Sequence, residues 1–223
     1  DWGGRDTYGH FHAGWAMAGN TPVKYFKQTV HNGGIADPFI VHWPKGITAK
    51  GEIRTQYSFI TDVAPTILEA TGTPFLGEVD GHKQMALDGK SLVYSFNNAA
   101  APTQHTEQLY EMFGNRAMYQ DGWKAVSLHG DRMPWVVAGT FPFDKDVWEL
   151  YHVDEDFSES VNLADKNPKK LAELTKRWDE LAIAGNVYPL YDDLMMRIAK
   201  QQDRLFGDRK VFSVSAFNEG IGV

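Results

Sequence analysis

The chain has 223 residues, 43% of them hydrophobic and 23% charged, which excludes a wholly disordered or fibrous chain and suffices to bury a sizeable core. Lys and Arg total 22 against 29 Asp and Glu, a net charge of −7 that argues against a broad nucleic-acid surface and leaves room for a local anion site. With no cysteine there is no disulfide, thiolate metal site or cysteine nucleophile, and no run of about 20 apolar residues is present to cross a membrane.

Asp1-Trp2-Gly3-Gly4-Arg5-Asp6 reads as the middle of a loop without a signal-peptide pattern, so a piece of a longer protein is expected. Residues 1–24, rich in Gly, aromatics and His, read as a structured surface loop. The apolar run Phe39-Ile40-Val41, ended by Pro44, reads as a buried strand of a parallel sheet. Asp62-Val63-Ala64-Pro65-Thr66 opens a helix, with Asp62 as cap, Pro65 in the first turn, Ile67, Leu68 and Ala70 as its apolar side and Gly72 as its end. Strand, link and helix in that order predict α/β layering. Residues 73–106 are mostly loop.

From residue 107 the period changes to two. Gln108 to Phe113 and Arg116 to Tyr119 read as strands, and Gln120-Asp121-Gly122 turns into a third over Trp123 to Leu128. Val147 to Val153 adds a fourth. Asn167-Pro168 then starts a helix whose Leu171, Leu174, Trp178 and Leu181 form one apolar face, stopped by Gly185. A second, polar helix is predicted over Asp192 to Leu205, and Lys210-Val211-Phe212 begins a strand-like tail.

Three constellations bear on chemistry. Lys27 follows the aromatic pair Tyr25-Phe26 and precedes His31 and Gly33-Gly34, a flexible turn that lets backbone approach a ligand. An ammonium there suits an anionic oxygen, although spacing alone favours a surface lysine near a turn. His10-x-His12 supplies two possible metal ligands, too few without a third. Asp154-x-Asp156-x-Ser158 mimics the start of a calcium loop, but Glu159 stands where the glycine is needed and Asp165 where the glutamate is, so an acidic turn is the better reading. No phosphate loop, dinucleotide fingerprint or Gly-x-Ser-x-Gly elbow is present.

The string GWAMAGNTPVKYFKQTVHNGGIADPFIVHWPKGI, followed by QYSFITDVAPTILEATG, LDGKSL, YEMFGNRAMYQDGWKAV and DVWELYHVDEDFSESVNLADKNPKKLAELTKRW, closely resembles the C-terminal half of arylsulfatases of the alkaline phosphatase superfamily. The resemblance covers about residues 1–212. It implies an α/β fold: residues 1–106 as the trailing part of an alkaline-phosphatase-like sheet domain, 107–190 as a small antiparallel sheet packed on a helix, and 191–223 as a truncated helical and strand tail. It also implies a sulfuric ester hydrolase acting on aryl or related sulfate monoesters. The family's catalytic lysine stands six residues before a Gly-Gly, and Lys27 with Gly33 and Gly34 fits, so the resemblance makes Lys27 the catalytic, sulfate-contacting lysine. Trp15, Asn20 and His31 are its neighbours in sequence and are expected to shape the substrate entrance.

The resemblance further implies calcium and a formylglycine nucleophile, made from a Cys-x-Pro-x-Arg motif, with both held by an N-terminal catalytic segment outside this chain. The expected partners are thus that segment and a sulfate ester, with no nucleic acid and no membrane. Departures from the family are Asn32, where Glu is common, and Ser58 and Phe59, where relatives carry His. A phosphodiesterase or phosphonate monoester hydrolase of the same superfamily, and a non-catalytic interaction fragment, are the alternative readings.

Overall fold

The computed structural model describes residues 4–7, 9–132 and 141–192. Its centre is an antiparallel sheet of four strands in sequence order: β3 (Glu107–Met112), β4 (Asn115–Gln120), β5 (Trp123–Ser127) and β6 (Glu149–His152). Preceding it are helices α1 (Ala13–Gly19), α2 (Asn32–Ile35), α3 (Val63–Thr71) and α4 (Val93–Phe96) and the two-residue strands β1 (Glu78–Val79) and β2 (His82–Lys83); helix α5 (Pro168–Ala184) follows.

Alternation divides the sheet into two faces. Met118, Ala125 and Leu150 point to one side, where Leu174, Trp178 and Ala182 of α5 meet them, all fully buried. Leu171 and Leu181 flank that contact, so the helical face expected from spacing is the face that packs. The indole Nε1 of Trp178 donates to the carbonyl of Tyr110 at 3.0 Å, which satisfies its one polar group within the core. Ala117, Tyr119, Val126 and Tyr151 point to the opposite side and pack on Val30. The sheet therefore carries the helix on one face and the segment around residues 24–35 on the other.

Asp121 and Gly122, with φ of 46° and 80°, make the β4–β5 hairpin turn that Asp-Gly predicts. Phe113 and Gly114 do the same between β3 and β4, with φ of 53° and 89°. Pro168 opens α5 at a position where no intrahelical N–H is lost, while Asn167 makes no side-chain capping bond. Gly72 closes α3 in the left-handed conformation.

Three sequence expectations need correction. Phe39-Ile40-Val41 forms no strand, and all three residues are exposed, Ile40 at 87%. Among the described residues the run belongs to neither sheet, so no strand pairs its main chain. The loop over residues 1–24 contains the short helix α1, where His12 Nδ1 accepts from the N–H of Gly14 at 3.1 Å. Asp62 does not cap α3 through its side chain; its carboxylate instead accepts from the N–H groups of Phe59 and Lys90 at 2.8 and 2.7 Å and from His105. The acidic turn after β6 is as read, with Asp156 accepting from Ser158, Ser160 and the N–H of Val161. The predicted helix over Asp192 to Leu205 and strand at 210–212 lie, beyond Asp192 itself, outside the described residues.

The helix-side core gives a direct test. Trp178→Ala removes the largest fully buried side chain and is expected to cost roughly 3–5 kcal/mol of stability in urea unfolding. A loss below about 1 kcal/mol would contradict this account of the core.

Candidate active site

The segment from Lys24 to Ile35 crosses the face of the sheet opposite α5. It can lie this close to itself only because residues 33 and 34 are glycines. A Cβ on Gly33 would stand 2.2 Å from the carbonyl oxygen of Lys24 and 2.3 Å from that of Tyr25, and one on Gly34 would stand 2.2 Å from the carbonyl oxygen of Thr29. The N–H of Gly33 donates to the carbonyl of Lys24 at 2.8 Å, closing the segment into a compact loop.

Two lysines hold this loop to the sheet. Lys124, on β5, is fully buried and donates to Asn32 Oδ1 and Glu159 Oε1, both at 2.8 Å. The other carboxylate oxygen of Glu159 accepts from the N–H of Asn32 at 2.8 Å. Burial pushes the Lys124 ammonium below the ordinary lysine value, against the pull of the Glu159 charge. Lys24 reaches the far edge of the sheet, donating to the Tyr151 hydroxyl at 2.7 Å and to Glu149 Oε2 at 3.3 Å. Glu149 Oε2 also accepts from Tyr151 at 2.8 Å and from His31 Nε2 at 3.0 Å. Burial alone would raise the Glu149 carboxyl, but the bonds from His31 and Tyr151 and the Lys24 charge outweigh it and hold it down to about 2.

Lys27 differs from both. It is exposed and makes no hydrogen bond or ion pair among the described residues. It lines an open cavity of about 1000 Å³ with Thr29, Phe39, Ser58, Phe59 and the edge strand β3. Ser58 and Phe59 thus line the same cavity as the lysine.

The other residues expected near the entrance are placed elsewhere. Trp15 projects from α1, 69% exposed, and does not line this cavity. Asn20 turns its amide inward, donating to the carbonyls of Tyr25 at 3.0 Å and Gly33 at 2.7 Å. His31 is buried under Tyr25, whose ring lies 4.7 Å away edge-on. Lys24, a neighbour without the motif's spacing, is tied into the Glu149 network. Sequence reasoning did not single out Lys124, Glu149, Tyr151 or Glu159. Period-two alternation does place Glu149 and Tyr151 on one face of β6, but which segment lands on that face is a long-range matter.

The family described as N-sulphoglucosamine sulphohydrolase, C-terminal, matches residues 23–183. The chain belongs to this family. An uncharacterized sulfatase of Schizosaccharomyces pombe is 28% identical over 166 residues, covering 74% of this chain and 28% of that protein. A sulfatase of Formosa agariphila is 24% identical over 153 residues, covering 68% of this chain and 27% of that protein. This sulfatase C-terminal portion therefore spans just over a quarter of the length of the curated relatives it matches. Two solved structures share its fold. One, from work on glycosaminoglycan metabolism by Bacteroides thetaiotaomicron, aligns with a TM-score of 0.52 at 18% identity, over 70% of this chain and 31% of that one. The other, Ps i-CgsB, aligns with a TM-score of 0.54 at 20% identity, over 84% of this chain and 38% of that one. The mixed α/β architecture expected from the sequence is the one found.

The Glu149 network predicts an acid-side loss of stability. An unfolded glutamate protonates near pH 4.3, about two units above the folded value, so this group's contribution is full above about pH 4.3 and disappears as pH falls toward 2. Urea midpoints measured from about pH 6 to pH 2.5 should fall less steeply in Glu149→Gln than in the parent. Parallel curves would remove Glu149 from the acid transition.

Proposed function

We propose that this chain supplies the lysine-bearing wall of the active site in a sulfatase of arylsulfatase type, which hydrolyses sulfate monoesters to an alcohol or phenol and sulfate. The observation that carries the reading is the contrast among three lysines around one loop. Lys124 is neutralised by Glu159 and Lys24 is engaged by Glu149, while Lys27 faces the cavity without a partner among the described residues. An anionic ester needs a cation that is not already spent, and Lys27 stands at the motif spacing before Gly33-Gly34.

In this reading the Lys27 ammonium contacts a non-bridging sulfate oxygen and the oxygen that departs as the sulfur–oxygen bond breaks. Charge grows on that oxygen in the transition state, so the contact strengthens there and lowers the barrier by roughly 3 kcal/mol. Calcium and formylglycine belong to the same reading, but the described residues do not fit them. Among those residues no group of three His, Cys, Asp or Glu side chains is placed to hold a metal, and the chain has no cysteine. We assign both groups to an N-terminal catalytic segment that would pack against this portion, and the exposed Phe39-Ile40-Val41 run is the surface it would cover.

The test uses the intact enzyme with 4-nitrophenyl sulfate and 4-nitrophenyl phosphate in parallel. Faster turnover of the sulfate is expected, and a preference for the phosphate would favour a phosphoesterase instead. Lys27→Ala should lower turnover about a hundredfold with thermal stability unchanged. Lys45→Ala, an exposed lysine away from the cavity, should change it by less than about threefold. Turnover of Lys27→Ala within about threefold of the parent would return Lys27 to the ordinary surface lysines.

A further inference from the structure

The side chain of Lys27 is held by nothing among the described residues, so its aim is set by the backbone beneath it. That backbone is unusual. Tyr25 and Gln28, on either side, are both left-handed, with φ of 62° and 80°, a conformation that side-chain-bearing residues adopt only when their surroundings impose it. An asparagine amide meets each of them. Asn20 Nδ2, just beyond α1, donates to the carbonyls of Tyr25 at 3.0 Å and Gly33 at 2.7 Å. Asn115 Nδ2, at the start of β4, donates to the carbonyl of Gln28 at 2.7 Å.

The Asn115 clamp is itself fixed. Its side chain is buried, and its Oδ1 accepts from the N–H of His129 at 2.8 Å, so the amide cannot rotate without losing both bonds. His129 is anchored in turn by Asp146 through Nδ1 at 2.8 Å and by Asp192 through Nε2 at 2.9 Å. A continuous set of hydrogen bonds thus runs from the sheet and the loops at its edge to the residue next to Lys27. The two amides come from elements about 95 residues apart in the chain and close on the same four residues.

We propose that Asn20 and Asn115 are positioning residues for Lys27, acting through the carbonyls of Tyr25 and Gln28. The proposal rests on the assignment of Lys27 to the sulfatase reaction. If Gln28 leaves the left-handed region, the peptide linking it to Lys27 turns, and the long lysine stem carries its ammonium away from the sulfate. If Tyr25 does so, the loop opens from the other side. Neither asparagine touches substrate in this account. Asn20 therefore has its effect on the entrance by holding the loop, and Asn115, distant in sequence, has the same one.

The experiment uses the intact enzyme. Asn115→Asp keeps the acceptor for His129 and removes the donor to Gln28; Asn20→Asp removes the donors to Tyr25 and Gly33. Each should lower kcat roughly ten- to hundredfold while KM changes less than about threefold. The deciding measurement is each change repeated in a Lys27→Ala background. A residue that acts only through Lys27 has nothing left to position there, so the further loss should be below about twofold. Asn115→Ala and Asn20→Ala, which bury no carboxylate, carry the same comparison where an aspartate variant does not fold. A full multiplicative loss on top of a crippled Lys27→Ala overturns this proposal alone, as does unchanged kcat in both single variants. Unchanged turnover in Lys27→Ala itself overturns the assignment of Lys27, and this proposal with it.

Discussion

Lys124 projects from β5 into the interface between the sheet and the loop, with its ammonium out of water. A buried charge in that position is tolerable only when paired and hydrogen-bonded, and its partners must come from outside the sheet. Glu159 supplies the charge and Asn32 a neutral oxygen. Because the N–H of Asn32 donates back to Glu159, three segments far apart in sequence meet at one point. The loop is therefore not free to choose where it sits: its last turn is tied to β5, and Gly33-Gly34 follows at once. A carboxylate at position 32 would set two acids against one buried ammonium, whereas the neutral amide of Asn32 leaves the charges balanced.

With one end of the loop fixed over β5, the rest has to cross the sheet toward β3 in few residues. The glycines permit the crossing by letting backbone lie where any Cβ would collide with it. Lys24 anchors the other end over β6 through Glu149 and Tyr151. The same sheet whose opposite face forms the hydrophobic core with α5 is thus the platform beneath the loop that carries Lys27. Packing of Trp178 on one side and placement of Lys27 on the other depend on the same strands. Damage to the core should therefore reach the site through geometry rather than through contact.

Much of this was legible locally. Alternation found β3, β4 and β5, Asp121-Gly122 marked its hairpin, and the spacing of Leu171, Leu174 and Trp178 marked the face of α5. The turn at Phe113-Gly114 has the same left-handed geometry but no residue before the glycine that advertises it. The apolar run at residues 39–41 carries the composition of a buried strand, yet composition specifies only a willingness to be covered; the neighbour must be present to pair with it. The site divides in the same way. Lys27 could be singled out only through the resemblance, because the motif that it matches, with Gly33-Gly34, is a spacing along the chain. Asn115, Lys124, Glu149 and Glu159 read as ordinary polar residues of strands and turns, because their roles depend on a loop about 80 or more residues earlier landing on their face of the sheet.

Spacing also could not rank the lysines by their electrostatic state. Lys24 and Lys27 lie in the same short segment and differ in sequence only by their distance to the glycines. In the fold they differ in what they face. The Glu149 carboxylate, held ionised far below neutral pH, is the partner of Lys24. The fold thus pairs one lysine of the loop with a carboxylate and leaves the other facing the cavity. Glu149 lies on the strand at the opposite edge of the sheet from the one that lines the Lys27 cavity, so the difference between the two lysines is set by which part of the sheet each one faces.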